Sequence, residues 1–279
     1  MTNPAAGFID FHSHLIPGVD DGSATPEQSV ESLRAFAAQS ASTVLTTPHF
    51  DASLTKMPVA LAARLGVFDA GWAQLVAARN AALAAEPGLV LPEIKRGVEL
   101  MLDDPDPDLS DERIRLDGGE FVLCEFPGMQ LPPNAEWAMH NLRQKGWRPV
   151  IAHPERYRNH DTRLSVLSRC RSAGAHLQVN AGSLIGQHGS RAQLVAFALL
   201  QAGWVDYLSS DYHARGTPAT ARAVEALVER GAAAQATRLT VENPARLLAG
   251  EGPLPVQPLD AQEAQSWWTR LLRKVAGND

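Results

Sequence analysis

Apolar and β-branched residues gather in short runs that recur at 8–12, 44–47, 95–102, 121–126, 149–152, 177–180 and 205–209, with a weaker eighth at 238–241. Runs of that length, bounded by polar residues or by Gly and Pro, predict buried strands. Between them lie longer stretches whose apolar positions repeat every three or four residues: 26–39, an alanine-rich 58–85, 134–145, 162–173, 190–202 and 218–231. These predict amphipathic helices. Strand and helix therefore alternate, which is the pattern of parallel strands joined by helical crossovers. Seven or eight such units over 8–249 predict a closed or distorted (β/α) barrel rather than an open sheet. Residues 1–7 read as a flexible N-terminus, and 250–258, with two Gly and three Pro, as a linker leaving the barrel. Residues 259–279 follow as an amphipathic helix. Its stripe of Trp267, Trp268, Leu271, Leu272 and Val275, with Arg270, Arg273 and Lys274 between, predicts docking on the barrel or on a second subunit. The same Trp-and-basic composition also suits peripheral contact with a membrane surface.

Composition narrows the picture. A chain of 279 residues with 45% apolar content can bury one substantial core. A formal charge of −6 and no Lys/Arg run argue against nucleic acid as a partner. No run approaches about 20 consecutive apolar residues, so no transmembrane segment is expected. The first residues lack a leader pattern, and the expected location is the cytoplasm. The two cysteines, Cys124 and Cys170, form neither a disulfide framework nor a metal knuckle.

The chemistry is concentrated at strand ends. Residues i and i+2 of a strand point to one face, so His12 and His14 can converge on a shared ion. Alone, such a pair could equally be two ordinary hydrogen-bonded histidines. The placement recurs, however: Asp21 follows the first strand, His49 the second, Glu99 lies on the third, Glu125 ends the fourth, His153 the fifth, and Asp211 and His213 follow the seventh. Catalytic groups of barrel enzymes sit at the C-terminal ends of strands. So many ionisable groups around one mouth would be costly to desolvate without a metal.

The strings Ile9-Asp10-Phe11-His12-Ser13-His14, Asp20-Asp21-Gly22, Thr47-Pro48-His49, Gly97-Val98-Glu99, His153-Pro154-Glu155-Arg156-Tyr157, Gln178-Val179-Asn180-Ala181-Gly182-Ser183 and Ser210-Asp211-Tyr212-His213 stand in consistent order over about 8–249. In these the chain resembles the PHP superfamily of metallophosphoesterases, and more narrowly its CpsB-like bacterial protein-tyrosine phosphatases linked to capsule and exopolysaccharide synthesis. The resemblance implies a distorted (β/α)7 barrel of the PHP type holding three divalent metal ions. His12, His14, Glu99 and Asp211 would hold the first, Glu99, Glu125 and His153 the second, and Asp21, His49 and His213 the third. A mixed imidazole and carboxylate set suits Mn, Fe, Zn or Co, and the resemblance favours manganese or iron. It also implies a phosphotyrosine protein as substrate, with a bacterial tyrosine kinase as partner.

Three divalent ions outweigh four carboxylates and a bridging hydroxide by roughly one positive charge, which suits a phosphate dianion. The ions would lower the pKa of the bridging water toward about 7, making a hydroxide nucleophile available. Arg156 can fork across phosphate oxygens; its bland alternative is a surface salt bridge with Glu155. The resemblance also implies a second phosphate-binding arginine several residues after the DxH motif, ahead of a proline. Here Arg215 stands earlier, before Pro218, on a shorter loop, and is the candidate for that role. His213 could assist catalysis if not committed to metal. Asn180 could orient a ligand. His140, His160, His176 and His188 read as structural or solvent-facing.

Other readings stay open. The same site could take histidinol phosphate or a nucleotide end. An amidohydrolase would add a carboxylated lysine, but Lys56, Lys95, Lys145 and Lys274 fall at no strand end. A metal-dependent scaffold would not need Arg156. A cysteine phosphatase is excluded, because Gln130 and His176 stand where the C-x5-R loop needs arginine.

Overall fold

A computed structural model describes residues 7–158 and 164–259. The expected C-terminal helix beyond Leu259, the start over 1–6 and His160 lie outside those residues.

Among the described residues, nine short strands are all paired in parallel: β1 (Phe8–Asp10), β2 (Ala41–Thr46), β3 (His49–Asp51), β4 (Glu93–Arg96), β5 (Glu99–Met101), β6 (Phe121–Glu125), β7 (Arg148–Ala152), β8 (His176–Asn180) and β9 (Tyr207–Ser209). They form two sheets, ordered β1-β2-β4 and β3-β5-β6-β7-β8-β9. Backbone hydrogen bonds join these into one ring. β2 and β3 are one strand line broken at Thr47-Pro48, and β4 and β5 another broken at Gly97-Val98. Pairing continues across both breaks through Gly97 N–H to Thr46 O and Glu99 N–H to Pro48 O, each 3.0 Å. Pro48 cannot donate to a ladder, and a β-carbon on Gly97 would lie 3.0 Å from the Arg115 carbonyl and Leu116 Cα, so any side chain there would press on the facing backbone. On the other side Asp211 N–H bonds to His12 O and His14 N–H to Tyr212 O, both 2.9 Å, linking the chain past β1 to the chain past β9. Seven strand lines thus encircle the core, the distorted (β/α)7 arrangement expected.

The helices are α1 (Pro26–Ala38), α2 (Pro58–Ala85), α3 (Ala135–Gln144), α4 (Ser165–Ser172), α5 (Ala181–Leu184), α6 (Gly189–Gln201), α7 (Thr220–Val228), α8 (Ala233–Thr237) and α9 (Asn243–Leu248). α1 starts where Thr25 accepts from Gln28 N–H and Pro26 presets φ, and it buries Val30, Leu33 and Phe36. α2 is long and apolar enough to span a membrane by length and composition, with a hydropathy of 1.3. It is nonetheless a wall of the barrel: Leu65, Phe68, Gly71 and Leu75 are buried, and a β-carbon on Gly71 would meet Ile16 Cγ2 at 2.6 Å.

The run 95–102, expected as one strand, is split into β4 and β5, and two further expectations are corrected. The weak eighth strand at 238–241 is a π-helical turn, Arg238–Glu242, that carries α8 into α9. Its Leu239 and Thr240 are buried, and the Thr240 hydroxyl donates to Ala236 O at 2.8 Å, so an apolar, β-branched run is satisfied inside a helix. The segment 250–258 is irregular, as expected, but it does not leave the barrel. The Asn243 amide donates to Leu254 O at 3.1 Å and accepts from Leu254 N–H at 2.8 Å, Arg246 holds Gly252 O, and Leu259 N–H reaches Leu200 O. Because this strap returns to the barrel far from the strand ends that carry the histidines, removing 260–279 is expected to leave metal content and thermal midpoint unchanged. A still-folded truncation that binds less metal would show that the C-terminal segment belongs to the site.

Candidate metal centre

The break after β2 and the ends of the other strand lines aim their polar residues at one mouth. His12 and His14 lie just past β1, His49 opens β3, Glu99 opens β5, Glu125 ends β6, His153 follows β7, and Asp211 and His213 follow β9. His12, His14 and Glu99 are fully buried, and Asp211 nearly so.

Four atoms form the innermost group. His12 Nε2 lies 3.3 Å from both Glu99 Oε2 and Asp211 Oδ1, and His14 Nε2 lies 3.6 and 3.4 Å from the same two oxygens. All four atoms are buried without a hydrogen-bond partner. Buried polar atoms are ordinarily satisfied, so four that face one another point to a missing cation. Their spacing fits one: donors about 2.1 Å from a tetrahedral ion stand about 3.4 Å apart. The remaining ring nitrogens are taken, His12 Nδ1 by Gln178 Oε1 at 2.9 Å and His14 Nδ1 by Asp20 Oδ2 at 2.7 Å. With Nδ1–H donating, each Nε2 presents its lone pair inward.

Electrostatics agree. Burial disfavours charge on the His12 and His14 rings, yet Glu99 and Asp211 overcome it and raise both, and the added bond from Asp20 carries His14 to about 9. Burial likewise opposes His49, but Glu125 and Glu99 lift it to about 11. In return, the histidines hold Glu99 and Asp211 far below the usual carboxylate range against their burial. Such a field demands positive charge, and protons and metal ions compete for it.

Two further groups adjoin the first. His49 Nδ1 lies 3.0 Å from Glu99 Oε2 and 3.2 Å from Glu125 Oε1, while His153 Nε2 is 2.8 Å from Glu99 Oε1 and 3.9 Å from Glu125 Oε2. Glu99 and Glu125 therefore come together around His49, with His153 on the Glu99 side. At the rim, Asp21 Oδ1 lies 3.5 Å from His49 Nε2 and 3.3 Å from His213 Nε2, and the His213 ring stacks on His14 at 3.9 Å. His153 and Asp211 both hold left-handed backbone, φ 34° and 54°. Such conformations cluster at functional sites, where neighbouring structure enforces them.

Arg156 does not pair with Glu155, the bland alternative. Its Nη1 contacts Asp211 Oδ2, which also accepts from Asn180 Nδ2 at 2.9 Å. Arg215 reaches the rim from the other side, donating to Asp21 O at 2.9 Å. Burial and the charge of Glu99 push the Cys124 thiol upward, so it stays protonated. His140 is exposed, and His176 lies at the opposite end of β8 against Phe121 and Tyr207.

Three contributors escaped sequence reasoning. Asp20, rather than only its neighbour Asp21, holds His14, and it also accepts from His49 N–H at 3.3 Å. Gln178 fixes His12. Buried Asp10 accepts from Ser210 N–H at 2.9 Å and from the Thr220 hydroxyl at 2.6 Å, tying the HxH strand to the DxH loop. All three stand inside the motif strings, and that proximity was the available signal.

Comparison with known proteins gives a consistent result. The family described as capsular polysaccharide synthesis, CpsB/CapC, matches residues 8–249. The tyrosine-protein phosphatase YwqE of Bacillus subtilis is 30% identical over 211 residues, 74% of this chain and 77% of its own. The tyrosine-protein phosphatase CpsB of Streptococcus agalactiae is 25% identical over 252 residues, 86% and 98% of the two chains. Among solved structures, one from work on the metal-dependent tyrosine phosphatases YwqE of Bacillus subtilis and CpsB of Streptococcus pneumoniae superposes with a TM-score of 0.69 at 27% identity, covering 90% of this chain and 99% of that one. A phosphotriesterase from Mycobacterium tuberculosis, 13% identical with a TM-score of 0.52, shares the fold alone.

Proposed function

The chain belongs to the CpsB/CapC family of capsular polysaccharide synthesis, and from that premise we propose that it is a metal-dependent protein-tyrosine phosphatase. The observation that carries this reading is the set of four buried, partnerless atoms of His12, His14, Glu99 and Asp211. Those residues would hold one divalent ion. Glu99 and Glu125, with His153, would hold a second, and Asp21, His49 and His213 a third, with manganese or iron as the metal. When bound, the ions would lower the pKa of a water toward about 7 and neutralise phosphate charge.

The chain's own residues do the rest. Gln178 and Asp20 keep the His12 and His14 rings in the tautomer whose lone pairs face inward. Asn180 fixes the Asp211 carboxylate. Arg156, one Nη on Asp211, has further donors of its fork for phosphate oxygens, and Arg215 is poised to add a second cation at the rim. The leaving group is the phenolate of tyrosine, whose parent pKa is about 10, a milder demand than a serine alkoxide. The substrate is a phosphotyrosine protein, with a bacterial tyrosine kinase of polysaccharide synthesis in the cytoplasm as the partner.

The test is one assay of the Mn-loaded protein on a phosphotyrosine peptide, a phosphoserine peptide, histidinol phosphate and a short oligonucleotide. Phosphotyrosine should be preferred, chelation should abolish turnover, and Mn should restore it. Preference for histidinol phosphate or the oligonucleotide would move the enzyme to another phosphoester, and indifference to chelators would end the metal reading.

A further inference from the structure

Glu155, Ser183 and His188 form a hydrogen-bonded line from the interior to the rim of the mouth. The Ser183 hydroxyl donates to Glu155 Oε1 at 2.6 Å, and Ser183 Oγ itself lies 2.9 Å from His188 Nδ1. Since its proton goes to Glu155, the hydroxyl accepts from His188, which puts the ring proton on Nδ1 and leaves Nε2 turned away from the relay. Glu155 Oε1 also accepts from Asn180 N–H at 3.0 Å, so the carboxylate is fixed at the buried end. The outer end is close to the metal centre. A β-carbon on Gly182 would lie 2.6 Å from Gln187 Oε1, 2.8 Å from His188 Cε1 and 3.5 Å from Asn180 Oδ1, and the amide of that asparagine donates to Asp211. Glycine at 182 is what lets the histidine lie there. His188 is exposed at the residue level, and Arg156, Asp211 and His153 are the charges it feels.

We propose that His188 is a catalytic residue that hands a proton from Nε2 to the phenolic oxygen as it leaves phosphorus, with Ser183 and Glu155 as the relay that orients it. The inference rests on the phosphatase reading. A histidine held at Nδ1 by a carboxylate relay presents Nε2 in one orientation and is supported when it carries charge. Burial and the charge of Arg156 hold this imidazole down at about 4, so it is neutral in the free enzyme. A phosphate dianion on Arg156 offsets that part of the opposition that is charge, and the proposed step has the ring take up a proton from solvent when substrate is bound. In the reaction a water gives one proton to solvent and its oxygen bonds to phosphorus. The bond from phosphorus to the aryl oxygen breaks, its electron pair stays on that oxygen, and the Nε2 proton transfers to it. Solvent then reprotonates His188, and phenol and phosphate depart.

The test varies the leaving group. His188→Gln and Ser183→Ala in the Mn-loaded full chain are assayed on a phosphotyrosine peptide, phenyl phosphate and dinitrophenyl phosphate. His188→Gln should lose about 100-fold in kcat on the first two and only a few-fold on the last, whose phenol is acidic enough to leave unaided. Ser183→Ala should fall in the same order by less, and Gly182→Ala, which pushes the ring aside, should follow it. Equal losses on all three substrates would overturn the proposal. If the wild type itself ignores phosphotyrosine, the phosphatase reading fails instead. Independently of turnover, nitrogen NMR of the wild type should find the resting His188 proton on Nδ1, and finding it on Nε2 would also overturn the assignment.

Discussion

Replacing Glu99 by Gln is expected to cost the centre at least one metal ion and to lower kcat by about 1,000-fold or more. Glu99 is the hub: Oε2 faces His12, His14 and His49, and Oε1 faces His153. The substitution keeps shape and removes one negative charge from a fully buried position. For the cation this is decisive, because charge stabilisation by a bound metal is worth several kcal/mol and each 1.36 kcal/mol is about tenfold in rate. For the fold the effect is smaller, since the raised histidines can release their protons once the carboxylate that sustains them is gone. Elemental analysis of the purified variant measures the lost ions. Thermal melting separates the effects: Mn should raise the midpoint of the wild type through binding to the native state and raise that of the variant less. A variant that keeps full metal content and turnover would remove Glu99 from the centre.

Much of this site was legible because strand periodicity is rigid. Glu125, the last residue of β6, could be placed at the mouth from the strand pattern, whereas His12, His14 and His153 lie just past their strands and needed the recurrence of ionisable groups at the other strand ends. Where the strand line breaks, the pattern misleads. The run at 95–102 reads as one strand, but Gly97 lets the facing loop press in, and β4 and β5 pair in different sheets. The run at 238–241 fails for another reason: buried β-branched residues suit a strand or a packed helix, and only the helices before and after it decide. Asp20 and Asp21 are alike in sequence, yet the former turns inward to His14 while the latter stays at the exposed rim. That choice depends on a turn in which Gly22 N–H bonds to Asp20 Oδ1. The line through Glu155, Ser183 and His188 spans 33 positions and needed the return of β8 beside the loop after β7 to be visible. His188, read from sequence as structural or solvent-facing, is exposed, and the role proposed for it rests on that line.

Replacing Arg156 by Ala is expected to lower kcat/KM toward a phosphotyrosine peptide by one to three orders of magnitude, about 1.4–4 kcal/mol of charge-assisted binding. Two effects compete here, because the guanidinium contacts Asp211 as well as standing at the phosphate position. Loss of the Asp211 contact alone should be modest. The carboxylate keeps its bond from Asn180 Nδ2, its Oδ1 still faces His12 and His14, and the arginine side chain is 30% exposed, so solvent screens that pair. Metal content should therefore survive the substitution while phosphate binding does not. Arg156→Lys should recover little, since an ammonium cannot fork across two oxygens. Inorganic phosphate inhibition should weaken in parallel with the loss of kcat/KM, which a purely structural role would not produce. An unchanged kcat/KM in Arg156→Ala would leave the arginine as a partner of Asp211 and nothing more. Metal lost in proportion to activity would make it a support for the centre rather than a clamp on the substrate.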